Sequence, residues 1–166
     1  MVEKKRKRVA LVASKGTLDM AYALLIIATT AASMGWEVGI FFTFYGLDIL
    51  HKKRVEHLQV SPVGNPAMPP PIHAIPMLKV PTFMGALPGM TAMATTMMKG
   101  WMARAKLPTV KEMLDLCVEA DVQLFACATT MGVMGIAQDD LIPQAKCAGA
   151  TTFLDYASAA DVSLFI

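Results

Sequence analysis

The side chain best suited to chemistry is the thiol of Cys127, which ends the apolar run Val122–Cys127 (VQLFAC). It is followed by the small residues Ala128-Thr129-Thr130-Met131-Gly132, which are expected to open a helix. Exposed N–H groups at the start of a helix favour a thiolate, and the thiolate is the form that attacks sulfur. The spacing therefore indicates a reactive, sulfur-handling thiol. The alternative is a buried core cysteine, because free cysteine is among the most buried residue types.

The other two cysteines, Cys117 and Cys147, give weaker signals. Cys117 is predicted in the last turn of a helix that leads to the opposite end of the Cys127 strand, so the two thiols should lie on the order of 10 Å apart. A disulfide requires Cα atoms within about 7 Å, and we expect none within one subunit. Cys147 is ambiguous between a packing role and a functional one, and packing is the favoured interpretation. Free thiols and the absence of a secretory signal sequence predict a reducing cytoplasm.

No metal or cofactor site is expected. The three histidines, His51, His57 and His73, lack ligand spacing, and we expect His51 and His57 to be exposed. The turn Ser14-Lys15-Gly16-Thr17 lacks the full phosphate-loop pattern, so it is interpreted as a strand-to-helix turn whose N–H groups could hold a small anion. No GxGxxG sequence follows the first strand, which argues against a dinucleotide.

The elements that must position these residues alternate between strand and helix. The strands are predicted at Arg8–Ser14, Trp36–Phe44, Val122–Cys127, Cys147–Ala150 and Val162–Ile166. The helices are predicted at Leu18–Met34, Gly46–His57, Gly89–Lys106, Thr109–Ala120, Asp139–Ala145 and Phe153–Ala160. This order predicts an α/β fold with a parallel, flavodoxin-like, doubly wound sheet of about five strands. Ligands of such sheets sit beyond the carboxyl ends of the strands, at Ser14–Thr17, Phe44–Gly46 or Cys127–Gly135.

The composition fits one domain over residues 1–166, with a basic arm at 1–7 and a Pro- and Met-rich insertion at 61–107. Apolar residues make up 55% of the chain and charged residues 17%, which excludes intrinsic disorder and predicts an oligomer interface or a membrane contact. Residues 1–8 hold five of the fifteen basic residues, so we expect the folded part of the chain to lack a basic surface large enough to bind nucleic acid.

The insertion contributes most of the fourteen methionines. Residues 80–98 are uncharged, but Pro81, Gly85, Pro88 and Gly89 disfavour a single spanning helix. Methionine fills gaps in cores and is common on adaptable surfaces. The segment is therefore interpreted as an oligomer interface or core cover, with contact between residues 80–103 and lipid or a hydrophobic partner as the alternative.

Seven segments of the chain resemble the DsrE/DsrF/DrsH-like superfamily, most closely its DsrE2 branch. The most specific features are the Met-rich insertion and the cysteine that closes VQLFAC. The matching segments are Ser14–Asp19, Gly35–Val38, Phe41–Gly46, Pro88–Met98, Leu124–Cys127, Gly132–Leu141 and Gly149–Phe153.

The resemblance implies a small α/β protein that forms homo-oligomers and relays sulfane sulfur as a persulfide on Cys127. It also matches Cys117 to a second cysteine found in part of the branch, so Cys117 is a candidate second thiol. Residues expected to support the anionic sulfur are Ser14, Lys15, Gly16, Thr129 and Gly132.

Three functions from different classes remain open on this basis. The first is a cytoplasmic sulfur carrier, sulfurtransferase-like, with donor and acceptor proteins as partners and no cofactor. The second is a peripheral membrane adaptor that uses the Met-rich helix and the basic arm. The third is a non-catalytic oligomeric scaffold in which Cys127 is inert.

Overall fold

A computed structural model describes residues 6–61 and 87–166 of the chain. The chain divides into two compact units, one formed by residues 1–58 and 108–166 and the other by residues 59–107. The first unit contains the sheet. The described residues of the second include the helix α2 (Met90–Arg104), where the buried hydroxyl of Thr95 accepts a hydrogen bond from the backbone N–H of Val60 at 3.1 Å.

Over its described residues, the first unit has five strands and four α-helices. The strands are β1 (Arg8–Ala13), β2 (Glu37–Phe42), β3 (Gln123–Cys127), β4 (Ala145–Ala148) and β5 (Val162–Phe165). The helices are α1 (Leu18–Ser33), α3 (Val110–Glu119), α4 (Ala128–Met134) and α5 (Ala150–Ser158). Short 3₁₀ turns occur at Phe44–Ile49, Val55–His57 and Gln138–Asp140.

The five strands form one parallel sheet in the order β4-β3-β2-β1-β5. The chain steps through β1 to β4 in one direction, and α5 then carries it back across the sheet to β5. Because parallel crossovers are right-handed, α1 and α3 lie on one face and α5 lies on the other. The prediction of a parallel α/β sheet with helices on both faces is confirmed.

The face covered by α5 has an aromatic core. Phe153 of α5 stacks on Phe41 with ring centroids 4.8 Å apart and meets Phe125 edge-on at 6.0 Å. Ala10, Ala148 and the candidate nucleophile Cys127 belong to the same buried cluster. The candidate thiol of Cys127 therefore packs against apolar side chains on this face.

Two predicted helices are wrong. Over Gly46–His57 the chain forms two 3₁₀ turns, because the neighbouring 139–142 segment takes hydrogen bonds that a continuous helix would use: Ile142 N–H donates to the Leu50 carbonyl at 3.0 Å, and Lys52 N–H donates to the Asp140 carbonyl at 3.0 Å. Asp139–Ala145 has one 3₁₀ turn, and β4 already begins at Ala145.

The expectation that His51 is exposed is also wrong. His51 is 8% exposed, because its backbone pairs with Leu141 in an isolated antiparallel bridge. Its ring nitrogen Nδ1 accepts a hydrogen bond from the Lys53 N–H at 3.2 Å. His57 is exposed, as predicted, and His73 lies outside the described residues.

Substitution of Gly39 by alanine is expected to destabilise the first unit by about 1–3 kcal/mol, through overpacking. A Cβ at Gly39 would lie 2.4 Å from the ring of Tyr156, so α5 would have to move off the sheet. Chemical denaturation measures the effect. Gly132→Ala is the matched control, because its Cβ meets nothing within 4 Å and alanine is the better helix former. Equal stability of the two variants would contradict this packing.

Candidate functional site

Cys127 lies at the carboxyl end of β3, in the row of residues that ends the sheet. On one side it pairs with Ala148 of β4. On the other side the register of β2 and β3, in which Phe42 pairs with Ala126, places Thr43 beside it. The side chain is 7% exposed and is the N-cap residue of α4. The sulfur therefore packs against apolar side chains and is exposed to solvent over a small part of its surface.

Two threonine hydroxyls meet at this end of β3. The Oγ1 atoms of Thr43 and Thr130 are 2.9 Å apart and share a hydrogen bond. Thr43 directly follows β2, whereas Thr130 is the third residue of α4 and is 4% exposed. Neither hydroxyl is among the predicted site residues, although Thr130 lies within Cys127–Gly135 and Thr43 precedes Phe44–Gly46, two of the strand ends where a ligand was expected.

The pKa of the Cys127 thiol is lowered from its ordinary value. Burial raises it, but hydrogen bonding from the side chain and backbone N–H of Thr130, the hydroxyl of Thr43 and the backbone N–H of Thr129 outweighs that effect. The Cys127 side chain makes no N-cap hydrogen bond of its own at the start of α4. Together these donors favour the thiolate.

Close backbone contacts hold the Thr43 segment in place. The N–H of Thr43 donates to the carbonyl of Ala13 at 2.9 Å, and the N–H of Gly46 donates to the carbonyl of Thr43 at 2.9 Å. Phe44 between them has a φ of 46°, a left-handed conformation that is rare for a bulky residue. Strain of this kind persists only where surrounding contacts fix the backbone, and it clusters at functional sites.

The turn after β1 lies at the same edge of the sheet, but β2 separates it from Cys127. Ser14 donates both its N–H, at 2.9 Å, and its hydroxyl, at 3.2 Å, to the carbonyl of Ile166, and Lys15 is exposed. Two strand spacings amount to about 10 Å. The structure therefore does not bring Ser14, Lys15 or Gly16 to the sulfur.

The two predicted residues after Cys127 differ in their relation to the sulfur. Thr129 contributes its backbone N–H, which helps lower the pKa of the thiol. Gly132 is an exposed residue further along α4, and a Cβ built there would meet nothing. Of the five predicted supporting residues, the structure gives Thr129 a direct part in stabilising the thiolate.

Cys117 and Cys127 lie on opposite faces of the sheet. Cys117 belongs to α3, which packs against α1, and its side chain is fully buried. Burial raises the pKa of the Cys117 thiol to about 12. All three cysteines are free. The structure therefore does not bring the candidate second thiol to the first.

Cys147 is exposed on the edge strand β4. It pairs with Ala126, one position before the Ala148–Cys127 pair. Because successive side chains of a strand point to opposite faces, Cys147 points away from the face that carries Cys127. Its thiol cannot reach the candidate nucleophile through the sheet.

The described residues give no support to a metal site or a membrane span. Residues 6–61 and 87–166 contain no group of three or more potential metal ligands among His, Cys, Asp and Glu. No helix among them is long and apolar enough to cross a membrane. Part of the predicted contact segment 80–103 lies outside the described residues. Its described helix α2 exposes Met93 and Trp101, at 55% and 36%.

Comparison with known proteins gives one family. Residues 5–165 match the model of the DsrE/DsrF/DrsH-like family. The chain belongs to this family. Within it, the sulfur carrier protein DsrE2 of Allochromatium vinosum is 41% identical over 164 residues, which cover 97% of this chain and 99% of that protein. The resemblance predicted from the sequence is confirmed.

Two further relatives extend the comparison. The Bacillus subtilis protein YrkE is 29% identical over 96% of this chain and 97% of its own length. The crystal structure of the ychN protein from E. coli superposes with a TM-score of 0.57 at 11% sequence identity, and covers 97% of this chain and 99% of that one. At that identity the match shows the fold alone.

Proposed function

We propose that this DsrE-like protein carries sulfane sulfur as a persulfide on Cys127. The observation that carries the proposal is the set of donors around a thiol at a strand end, which lowers its pKa although the side chain is 93% buried. The name of the 41%-identical relative, a sulfur carrier protein, supports the same class of function.

The chemistry is two successive exchanges at sulfur. The Cys127 thiolate attacks the outer sulfur of a donor persulfide, a new S–S bond forms, the donor S–S bond breaks, and the donor thiolate leaves. An acceptor thiolate then attacks the outer sulfur on Cys127 and releases the Cys127 thiolate. Each step is redox-neutral and needs no metal or cofactor, and the partners are a donor and an acceptor that both carry thiols.

The burial of Cys127 suits a carrier. A thiol exposed by 7% can be reached by a slender group such as a sulfur chain, while bulkier groups are kept away. Because oxidation of cysteine follows thiolate character and exposure, limited exposure also protects an activated thiol. Cys117 and Cys147 have no part in this exchange, since neither reaches the Cys127 face of the sheet.

The remaining predictions about partners and location stay predictions. They are the homo-oligomer, the cytoplasmic location and the membrane contact through residues 80–103. Val133, Leu154 and Phe165 are apolar residues exposed in the first unit, at 75%, 63% and 74%.

Intact mass spectrometry after treatment with inorganic polysulfide tests the carrier function. Wild type is expected to gain an adduct of about 32 Da, one sulfur atom, in a persulfide that reductant removes. Cys127→Ser should lose this adduct, and Cys147→Ser, the matched control, should keep it. An adduct of wild-type yield that survives in Cys127→Ser, or no adduct on wild type, would overturn the proposal.

A further inference from the structure

The two hydroxyls beside Cys127 must have a proton between them. The oxygens of Thr43 and Thr130 are 2.9 Å apart, and either one could be the donor. At this separation the lone pairs of two oxygens repel each other unless one hydroxyl points its proton at the other. Both hydroxyls also act on the sulfur of Cys127.

The number of protons limits what the pair can do. Each threonine hydroxyl has one proton to donate. When one proton occupies the bridge between Thr43 and Thr130, a single proton remains for the sulfur. We propose that the two threonines act together as one hydrogen-bond donor to Cys127. At any moment one hydroxyl donates to the sulfur, while the other donates to that first hydroxyl and positions it. The second hydroxyl can replace the first as the donor.

The surrounding structure keeps both oxygens where they are. Thr43 is fixed through its N–H to Ala13 and its carbonyl to Gly46, both at 2.9 Å. Thr130 is fixed in α4 and is 4% exposed, and its backbone N–H also helps to lower the pKa of the thiol. The protons can therefore exchange roles by rotation of the two O–H bonds, while the heavy atoms stay in place.

This arrangement deepens the persulfide-carrier function proposed above and rests on it. In that cycle the negative charge leaves Sγ when the outer sulfur is bound and returns when the acceptor removes it. Because the hydrogen bond between the two hydroxyls can reverse its direction, the pair can adjust to these changes in the charge on Sγ while the rest of the site stays in place. Donors that are already in position stabilise the charge without a free-energy cost for reorganising the site.

A double-mutant cycle tests the shared donor. The pKa of Cys127 is measured in the full chain from the pH dependence of iodoacetamide alkylation, followed by mapping of the modified peptide. Thr43→Val and Thr130→Val should each raise the pKa by a few tenths of a unit, because the remaining hydroxyl turns its proton to the sulfur. The double variant should raise it by about 1–2 units, since no hydroxyl donor to the charged sulfur is left.

The non-additivity is the decisive result. Two independent donors would give a double variant equal to the sum of the single variants, and that outcome overturns the proposal. A double variant equal to one of the single variants also overturns it, because the other hydroxyl would then not donate. Thr43→Ser and Thr130→Ser should keep the wild-type pKa, and Thr152→Val, an exposed threonine in α5, is the surface control. If valine packs poorly, alanine variants give the same cycle.

Failure of this inference is distinguishable from failure of the carrier function, because the measurement uses no sulfur donor. A chain that shows the non-additive pKa but takes up no sulfur would overturn the carrier function alone. A chain that takes up sulfur on Cys127 but shows additive effects would overturn the shared donor alone.

Discussion

Iodoacetamide at pH 7.5 is expected to modify Cys127 of the folded protein and to leave Cys117 intact. The thiolate is the reacting form, and the pKa of Cys117 is about 12, so on the order of one Cys117 side chain in 10⁴–10⁵ is ionised at that pH. Cys117 is also fully buried. The two rates should differ by more than about 10³-fold, which is measured by peptide mapping over a time course.

Cys147 provides the internal reference for this experiment, because it is exposed and reports whether the reagent is active. In denaturant all three thiols should react at similar rates. If Cys127 reacts in the folded protein as slowly as Cys117, the donors around it do not activate it and it is a core cysteine. If Cys117 reacts as fast as Cys127, the packing of α3 is not as the structure shows.

The same two thiols have opposite effects on stability as the pH changes. Folding raises the pKa of Cys117 from an ordinary value of 9.0 to about 12, so its neutral form is favoured when folded, and that contribution to stability is lost as the pH rises through this range. Folding lowers the pKa of Cys127, so its contribution is present above pH 9.0 and is lost as the pH falls through its folded pKa. Cys117→Ala should therefore reduce the loss of stability between pH 9 and 12.

The position of Cys127 and the part played by Thr129 were predictable from the sequence, but the hydroxyls of Thr43 and Thr130 were not. A run of apolar residues that ends in Cys and is followed by small residues indicates a strand end, and this needs only local information. Thr43 lies beside Cys127 because β2 and β3 are neighbours in register, which depends on the strand order of the whole sheet. Ser14 follows β1 and was an equally good candidate by local criteria. The strand order places it one strand too far away.

The errors in the fold have the same origin. The 46–57 segment has the apolar spacing of an amphipathic helix, and local propensity predicts one. Hydrogen bonds between Leu50 and Ile142 and between Lys52 and Asp140 replace it with 3₁₀ turns and bury His51. Where an element depends on its own residues, as with the capping box of Thr109 and Glu112 at the start of α3, the sequence was sufficient.

Among substitutions that add one methyl group to the site, Gly46→Ala is expected to have the largest effect on stability and on the pKa of Cys127. Its Cβ would lie 2.2 Å from the carbonyl oxygen of Ala13 and 2.8 Å from its carbon, so backbone must move. That oxygen also accepts the N–H of Thr43, and its displacement would carry Thr43 away from Thr130. We expect a loss of about 3 kcal/mol in the free energy of unfolding, together with a rise in the pKa of Cys127.

The two effects can be separated because they have different readouts. Chemical denaturation gives the stability, and the pH dependence of Cys127 alkylation gives the pKa under conditions where each variant is folded. Gly16→Ala makes a similar contact in the turn after β1, 2.2 Å from the carbonyl oxygen of Tyr45. Gly16→Ala should lower the free energy of unfolding about as much as Gly46→Ala does. It should raise the pKa of Cys127 less, because the hydrogen bond between Ala13 and Thr43 is left in place. Gly149→Ala, whose Cβ meets nothing within 4 Å, should leave the pKa unchanged.

If Gly46→Ala loses stability while the pKa of Cys127 stays at the wild-type value, the position of Thr43 does not control the thiol, and activation must come from α4 alone.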